Sequence, residues 1–102
     1  MNGDKLCRCL EEVRVFIDRV NRAVASGLMH RFNDAIKHLD VAKSYLQKME
    51  SCFGVTFPKT RDYLEKAFEE LEEHKDADAE ENLSLVLWTI FREIRDKTCS
   101  TL

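Results

Sequence analysis

Proline occurs once and glycine three times in 102 residues. A chain with so few turn-formers has few places to break, so it is built from long elements. Strand signals are absent as well. No segment sustains an apolar–polar alternation, and no Asn-Gly or Asp-Gly pair lies between two such segments, which excludes a sheet as the organising element. The longest nearly apolar run, Leu83 to Phe91, is too short to cross a bilayer. No hydrophobic region of the signal-peptide kind opens the chain, which predicts a cytoplasmic protein without a membrane partner. The four cysteines include no CxxC pair, and Cys7 and Cys9 point about 200° apart on a helix, so a zinc site is not expected. Large excess charge of one sign is also missing, since the net charge is −3. A nucleic-acid partner is therefore not expected.

What is present is a heptad. Between Leu28 and Phe53, one file of apolar residues runs Phe32, Leu39, Leu46, Phe53, and a second runs Leu28, Ala35, Ala42, Met49. Alternating steps of three and four place both files on one face of a helix. One file is bulky and the other mostly small, so a partner helix can approach closely on the alanine side. Such a stripe is not stable in water alone and has to be covered.

Around this segment the pattern predicts one helical domain over residues 1–102, with helices over 4–25, 28–53, 58–75 and 79–97. Leu6, Leu10, Val13, Ile17, Val20 and Val24 form the main stripe of the first, widened by Cys9, Phe16 and Ala23. Gly27 suits its end, because glycine accepts positive φ. A continuous step of four through Val20, Val24, Leu28 and Phe32 leaves a second path open, in which the first two helices form one bent rod and two chains intertwine. Gly54, followed by Val55, suits a left-handed stop for the second helix, and Pro58 a first helical position. In the fourth helix Leu83, Val86, Leu87, Ile90, Phe91 and Ile94 make the main face, while Leu85 and Trp88 lie on the far side. A helix apolar nearly all round is covered on two sides. Leu85 and Trp88 are therefore the expected contact with a second copy, because closed two-fold dimers are the commonest oligomers.

Antiparallel packing gathers Cys7, Cys9, Cys52 and Cys99 at one end of the bundle. Reduced, half-buried thiols are the expected state. If a bridge forms, Cys52 with Cys99 fits the helix lengths best, because a simple hairpin leaves Cys9 about 12 Å from the level of Cys52. His30, Asp34 and His38, spaced i, i+4, i+8, read as a polar surface network rather than as metal ligands.

The charges are unevenly spread. Residues 1–61 carry 11 Lys/Arg against 7 Asp/Glu, and residues 62–102 carry 5 against 12. Within the acidic half, Glu69, Glu70 and Glu73 read EExxE, and Glu93 with Asp96 read ExxD. These resemble the magnesium site of MazG-type nucleoside triphosphate pyrophosphohydrolases, which are also all-helical and oligomeric. The resemblance implies Mg²⁺ held by those five carboxylates, since hard cations prefer oxygen ligands. It remains the alternative, because the three glutamates of the EExxE run sit opposite Leu64, Phe68 and Leu71 and so face outward. In size and pattern, with the heptad of Leu28–Phe53 and the crowded helix Leu83–Ile94, the chain resembles small uncharacterised all-helical dimeric proteins of hyperthermophilic archaea. The fold expected is an all-α, up-down four-helix bundle, paired as a homodimer. The expected role is interaction or assembly, with itself or another protein, without catalysis or a cofactor.

Overall fold

A computed structural model describes the backbone of residues 2–98 and the side chains of residues 8–97. Within them lie four helices and no strand: α1 (Asn2–Leu28), α2 (Phe32–Phe53), α3 (Pro58–Glu72) and α4 (Asp76–Thr98). α1 packs on α2, α2 on α3, α3 on α4, and α4 back on α1. Each helix runs antiparallel to the next, as the links of only a few residues require. The longest dimension, 43 Å, is close to the length of α1, about 40 Å at 1.5 Å per residue. No helix among the described residues is long and apolar enough to cross a membrane.

The core follows two heptads. On α2, Ala35, Leu39, Ala42, Leu46, Met49 and Phe53 are buried, with Phe32 half-buried at the start, which is the stripe the sequence marks out except for Leu28; that residue ends α1 instead and is exposed. On α1 the buried line is Cys9, Val13, Phe16, Val20, Ala23 and Gly27, again in alternating steps of four and three. This line is rotated from the expected stripe: Leu10 is exposed, while Ile17 and Val24 are half-buried. The small residues Cys9, Ala23 and Gly27 take the inner positions, which lets α1 approach its neighbours closely. α3 contributes Leu64, Ala67 and Leu71, and α4 contributes Ala79, Leu83, Val86, Ile90 and Ile94.

The chain turns between α1 and α2 about one helical turn later than expected. α1 continues through Gly27 to Leu28, and His30 is the residue that goes left-handed, with φ +57°. The Arg31 N–H donates to the Ser26 carbonyl and the His30 N–H to that of Gly27, a Schellman stop. The same device ends α3, where His74 has φ +59° and the Lys75 N–H reaches the Glu70 carbonyl. Gly54, with φ +74°, ends α2, and Val55 packs back on the core as expected. The two helices therefore form a hairpin within one chain rather than a continuous rod. α3 ends at Glu72 rather than Lys75, and α4 starts at Asp76 rather than Ala79.

Two glycine replacements should have opposite signs. At Gly54 an added Cβ meets nothing within 4 Å, but the left-handed backbone disfavours it, so Gly54→Ala is expected to cost about 1 kcal/mol. Gly27 is inside a helix, and its added Cβ would meet Leu71 Cδ2 at 3.6 Å, an ordinary contact. Gly27→Ala is expected to gain about 0.5–1 kcal/mol from helix propensity. Urea midpoints of the two variants check both signs.

The later turn also changes which cysteines meet. Nineteen residues separate Cys9 from Leu28 and twenty separate Phe32 from Cys52, so both cysteines lie at the same level, roughly 29 Å from the turn. They form a disulfide across a Cα–Cα distance of 5.9 Å. This corrects the expectation of reduced thiols and of a Cys52–Cys99 pairing: Cys52 is already bonded to Cys9, and Cys99 lies outside the described residues. The mismatch of 12 Å came from ending α1 and starting α2 too early. Covalently, the α1–α2 hairpin is closed at both ends, by its turn and by its bridge.

Candidate functional site

The start of α3 shows how the carboxylates are used. Phe57 stands at the N-cap position and offers no side-chain acceptor. The first-turn amides are satisfied instead from neighbouring helices. Glu50, near the end of α2, accepts the Phe57 N–H at 2.8 Å and pairs with the Arg61 guanidinium. Glu93, on α4 and only 6% exposed, accepts the Thr60 N–H at 2.8 Å, the Thr60 hydroxyl at 2.7 Å and the Lys59 N–H at 3.4 Å. Pro58 has no N–H to satisfy, and the Arg61 N–H already donates to the Phe57 carbonyl. Two negative side chains thus sit at the positive end of the helix dipole and complete its hydrogen bonding.

This placement separates the five carboxylates of the MazG-like reading. Glu93 lies at the N-terminal end of α3, while Glu69, Glu70 and Glu73 lie at its other end, about 15 Å away along the axis. Glu70 accepts from the Asn82 side-chain amide, which ties α3 to α4. Glu73 is exposed and pairs with Lys75 at 3.1 Å; the hydrogen bond and charge of Glu73 raise the Lys75 pKa above its ordinary value. Glu69 faces solvent, and Asp96 pairs in solvent with its neighbour Arg95. Among the described residues, no group of three His, Cys, Asp or Glu side chains is placed to hold a metal.

The histidines are dispersed likewise. His30 belongs to the turn, so it is out of helical register with Asp34 and His38. His30 reaches Asp76 at 3.4 Å, Asp34 is exposed in the first turn of α2, and His38 meets Arg19 of α1 at 3.1 Å. Phe32 gathers the two left-handed histidines at this end of the molecule. Its ring stacks on His74 at 4.4 Å and lies 6.0 Å from His30. These contacts help to hold His30 and His74 in a backbone region that side chains rarely adopt.

No family model matches this chain, and no match was found among curated proteins or solved structures.

The outer face of α4 is different in kind. Ser84, Leu87, Trp88, Phe91, Arg92 and Arg95 recur at helical spacing and line a shallow groove of ≈ 590 Å³. Trp88 is 63% exposed and Phe91 57% exposed, although Phe91 was expected on the inner face. Leu83, Val86, Ile90 and Ile94 fill that face without it. Leu87 is half-buried at one edge of the stripe and Leu85 half-buried at the other. The Arg92 guanidinium lies 5.0 Å from the centre of the Trp88 ring. Single exposed apolar residues, such as Leu10 on α1, are ordinary on a protein surface. A contiguous aromatic stripe bordered by arginines is the kind of surface that marks an interaction site.

Proposed function

We propose that this protein is a non-enzymatic assembly module, an up-down helical bundle that forms a homodimer through the outer face of α4. The observation that carries this reading is the exposure of Trp88 together with Phe91 on one helical stripe. Both side chains have low conformational entropy and large apolar area, the properties of residues that dominate binding energy at interfaces. The helix needs neither of them for its own core, which Leu83, Val86, Ile90 and Ile94 complete. Their presence outside is therefore explained by a second contact.

The size of the stripe sets the strength. Two copies covering Leu87, Trp88, Phe91 and the flanking arginines would remove on the order of 1,000 Å² in total, the low end for a specific interface. The dimer is accordingly expected to dissociate in roughly the micromolar range. Multi-angle light scattering over a dilution series tests this directly. The expected result is a mass that falls from two chains to one on dilution, and a Trp88→Ala variant that is monomeric throughout with unchanged helicity. A single-chain mass at every concentration would end the proposal.

A further inference from the structure

The charges along the same stripe are arranged by position. Toward the start of α4 the residues bordering it are Glu80 and Glu81, both exposed; toward the end they are Arg92 and Arg95, both exposed. The apolar group of Leu87, Trp88 and Phe91 lies between. Complementing the helix dipole explains Asp76 and Asp78 in the first turn and Arg95 and Lys97 in the last. It does not explain Glu80, Glu81 or Arg92, because the effect fades within a single turn and these residues lie farther in.

We infer that two copies meet α4 against α4, antiparallel, about a two-fold axis that passes between Leu87 and Trp88. The inference rests on the dimer reading above and adds its register. In such a contact, residues whose numbers sum to about 175 lie at the same level. Arg95 then stands level with the partner's Glu80 and within one residue's rise, about 1.5 Å, of the partner's Glu81. Arg92 lies within about 3 Å of the level of the partner's Glu81 and on the same side of the seam. Phe91 faces the partner's Ser84, a small residue opposite a large one, and Trp88 lies beside its own copy, about one residue's rise apart in level, so that the two indoles cover each other. The charged pairs and the Phe91–Ser84 pair each meet a complement, and the symmetry supplies each of them twice. A parallel arrangement would instead set Arg92 and Arg95 against their own copies, and Glu80 and Glu81 against theirs, which like-charge repulsion opposes. Among the described residues Arg95 pairs only with its exposed neighbour Asp96, at 3.3 Å, a pairing of little strength that the partner's glutamates can replace.

Charge reversal tests the register. Glu81→Arg and Arg95→Glu are made singly and together in the full chain, and dissociation constants are measured by sedimentation equilibrium at low ionic strength. Each single variant is expected to weaken the dimer on the order of ten-fold, because one substitution places like charges together at two symmetric points. The double variant is expected to return to within about two-fold of the original, since both pairs are restored with signs exchanged. Circular dichroism should be unchanged in all three, as both positions are exposed. If the original chain dimerises but the single variants bind as tightly, or the double variant is weaker than either single one, the register is overturned and the dimer stands. If the original chain is monomeric at all concentrations, the dimer and its register fall together.

Discussion

Replacing Cys9 and Cys52 with alanine is expected to lower the unfolding free energy by about 4 kcal/mol. The bridge closes a loop with a sequence separation of 43, and the loss of chain entropy from an unfolded state so constrained comes to roughly that amount at 25 °C. A chain of this length has a total stability of only about 5–15 kcal/mol. The bridge is thus a major part of what keeps the hairpin together. The midpoint of thermal unfolding should fall by roughly 15 °C or more, since about 1 kcal/mol corresponds to 4–8 °C in a domain of this size. Guanidinium titrations of the bridged chain and the double alanine variant give the difference directly. Equal stability would mean that the bridge adds nothing the helices do not already provide. Because α1 and α2 are also joined by their turn, the native fold of the variant should be retained, and its far-ultraviolet spectrum should match that of the bridged chain below the transition.

The second large effect is expected at Glu93. Glu93→Ala removes the acceptor for three donors at the start of α3, two of them within 2.8 Å, and leaves those two, the N–H and hydroxyl of Thr60, buried without partners. Hydrogen bonds to a charged acceptor are each worth about 1.5–3 kcal/mol, and the loss of a helix cap about 1 kcal/mol. Allowing for overlap between these contributions, a loss of about 3 kcal/mol is expected. Glu93→Gln should cost much less, because one amide oxygen can still accept from both the Thr60 N–H and its hydroxyl, which share a single carboxylate oxygen now. Urea unfolding of the two variants separates the capping role from a merely space-filling one: if the alanine and glutamine variants are equally destabilised, the hydrogen bonds are not what Glu93 contributes.

Much of the helical architecture was legible because hydrophobic period is a strong signal when it is strict. The α2 heptad is buried nearly residue for residue, and Gly54 and Pro58 punctuate the chain where their backbone preferences require. The end of α1 was not legible, for a specific reason. Gly27 is the residue expected to stop a helix, but it keeps helical geometry and lies buried in the inner line of α1, just before its last residue, Leu28. His30 takes the left-handed position, which histidine does more readily than most residues. That displacement of about one helical turn hid the Cys9–Cys52 bridge, since it shifted the apparent levels of the two cysteines.

The roles of Phe91 and Glu93 were hidden by different causes. On a helix that is apolar nearly all round, spacing does not choose a face, and Phe91 lies three or four residues from both Leu87 and Ile94. Burial by α1 and α3 makes the choice, and Phe91 is left outside with Trp88. Glu93 resembled a free carboxylate beside the apolar face. The signal that pointed to its use was elsewhere: α3 starts at Pro58 behind Phe57, with no Ser, Thr, Asp or Asn at its cap, so its amides require acceptors from other helices. A missing local cap is a reason to look for a distant carboxylate.

Trp88 is the single tryptophan of the chain, so its emission reports on the α4 face without interference. The most direct measurement is its emission maximum as a function of protein concentration from nanomolar to hundreds of micromolar. The expected result is the spectrum of a solvated indole at low concentration, shifting to shorter wavelength through the micromolar range as the partner covers it. An indole that stays solvated across the whole range, with the mass of one chain, would contradict the proposal that this face exists to meet a second copy.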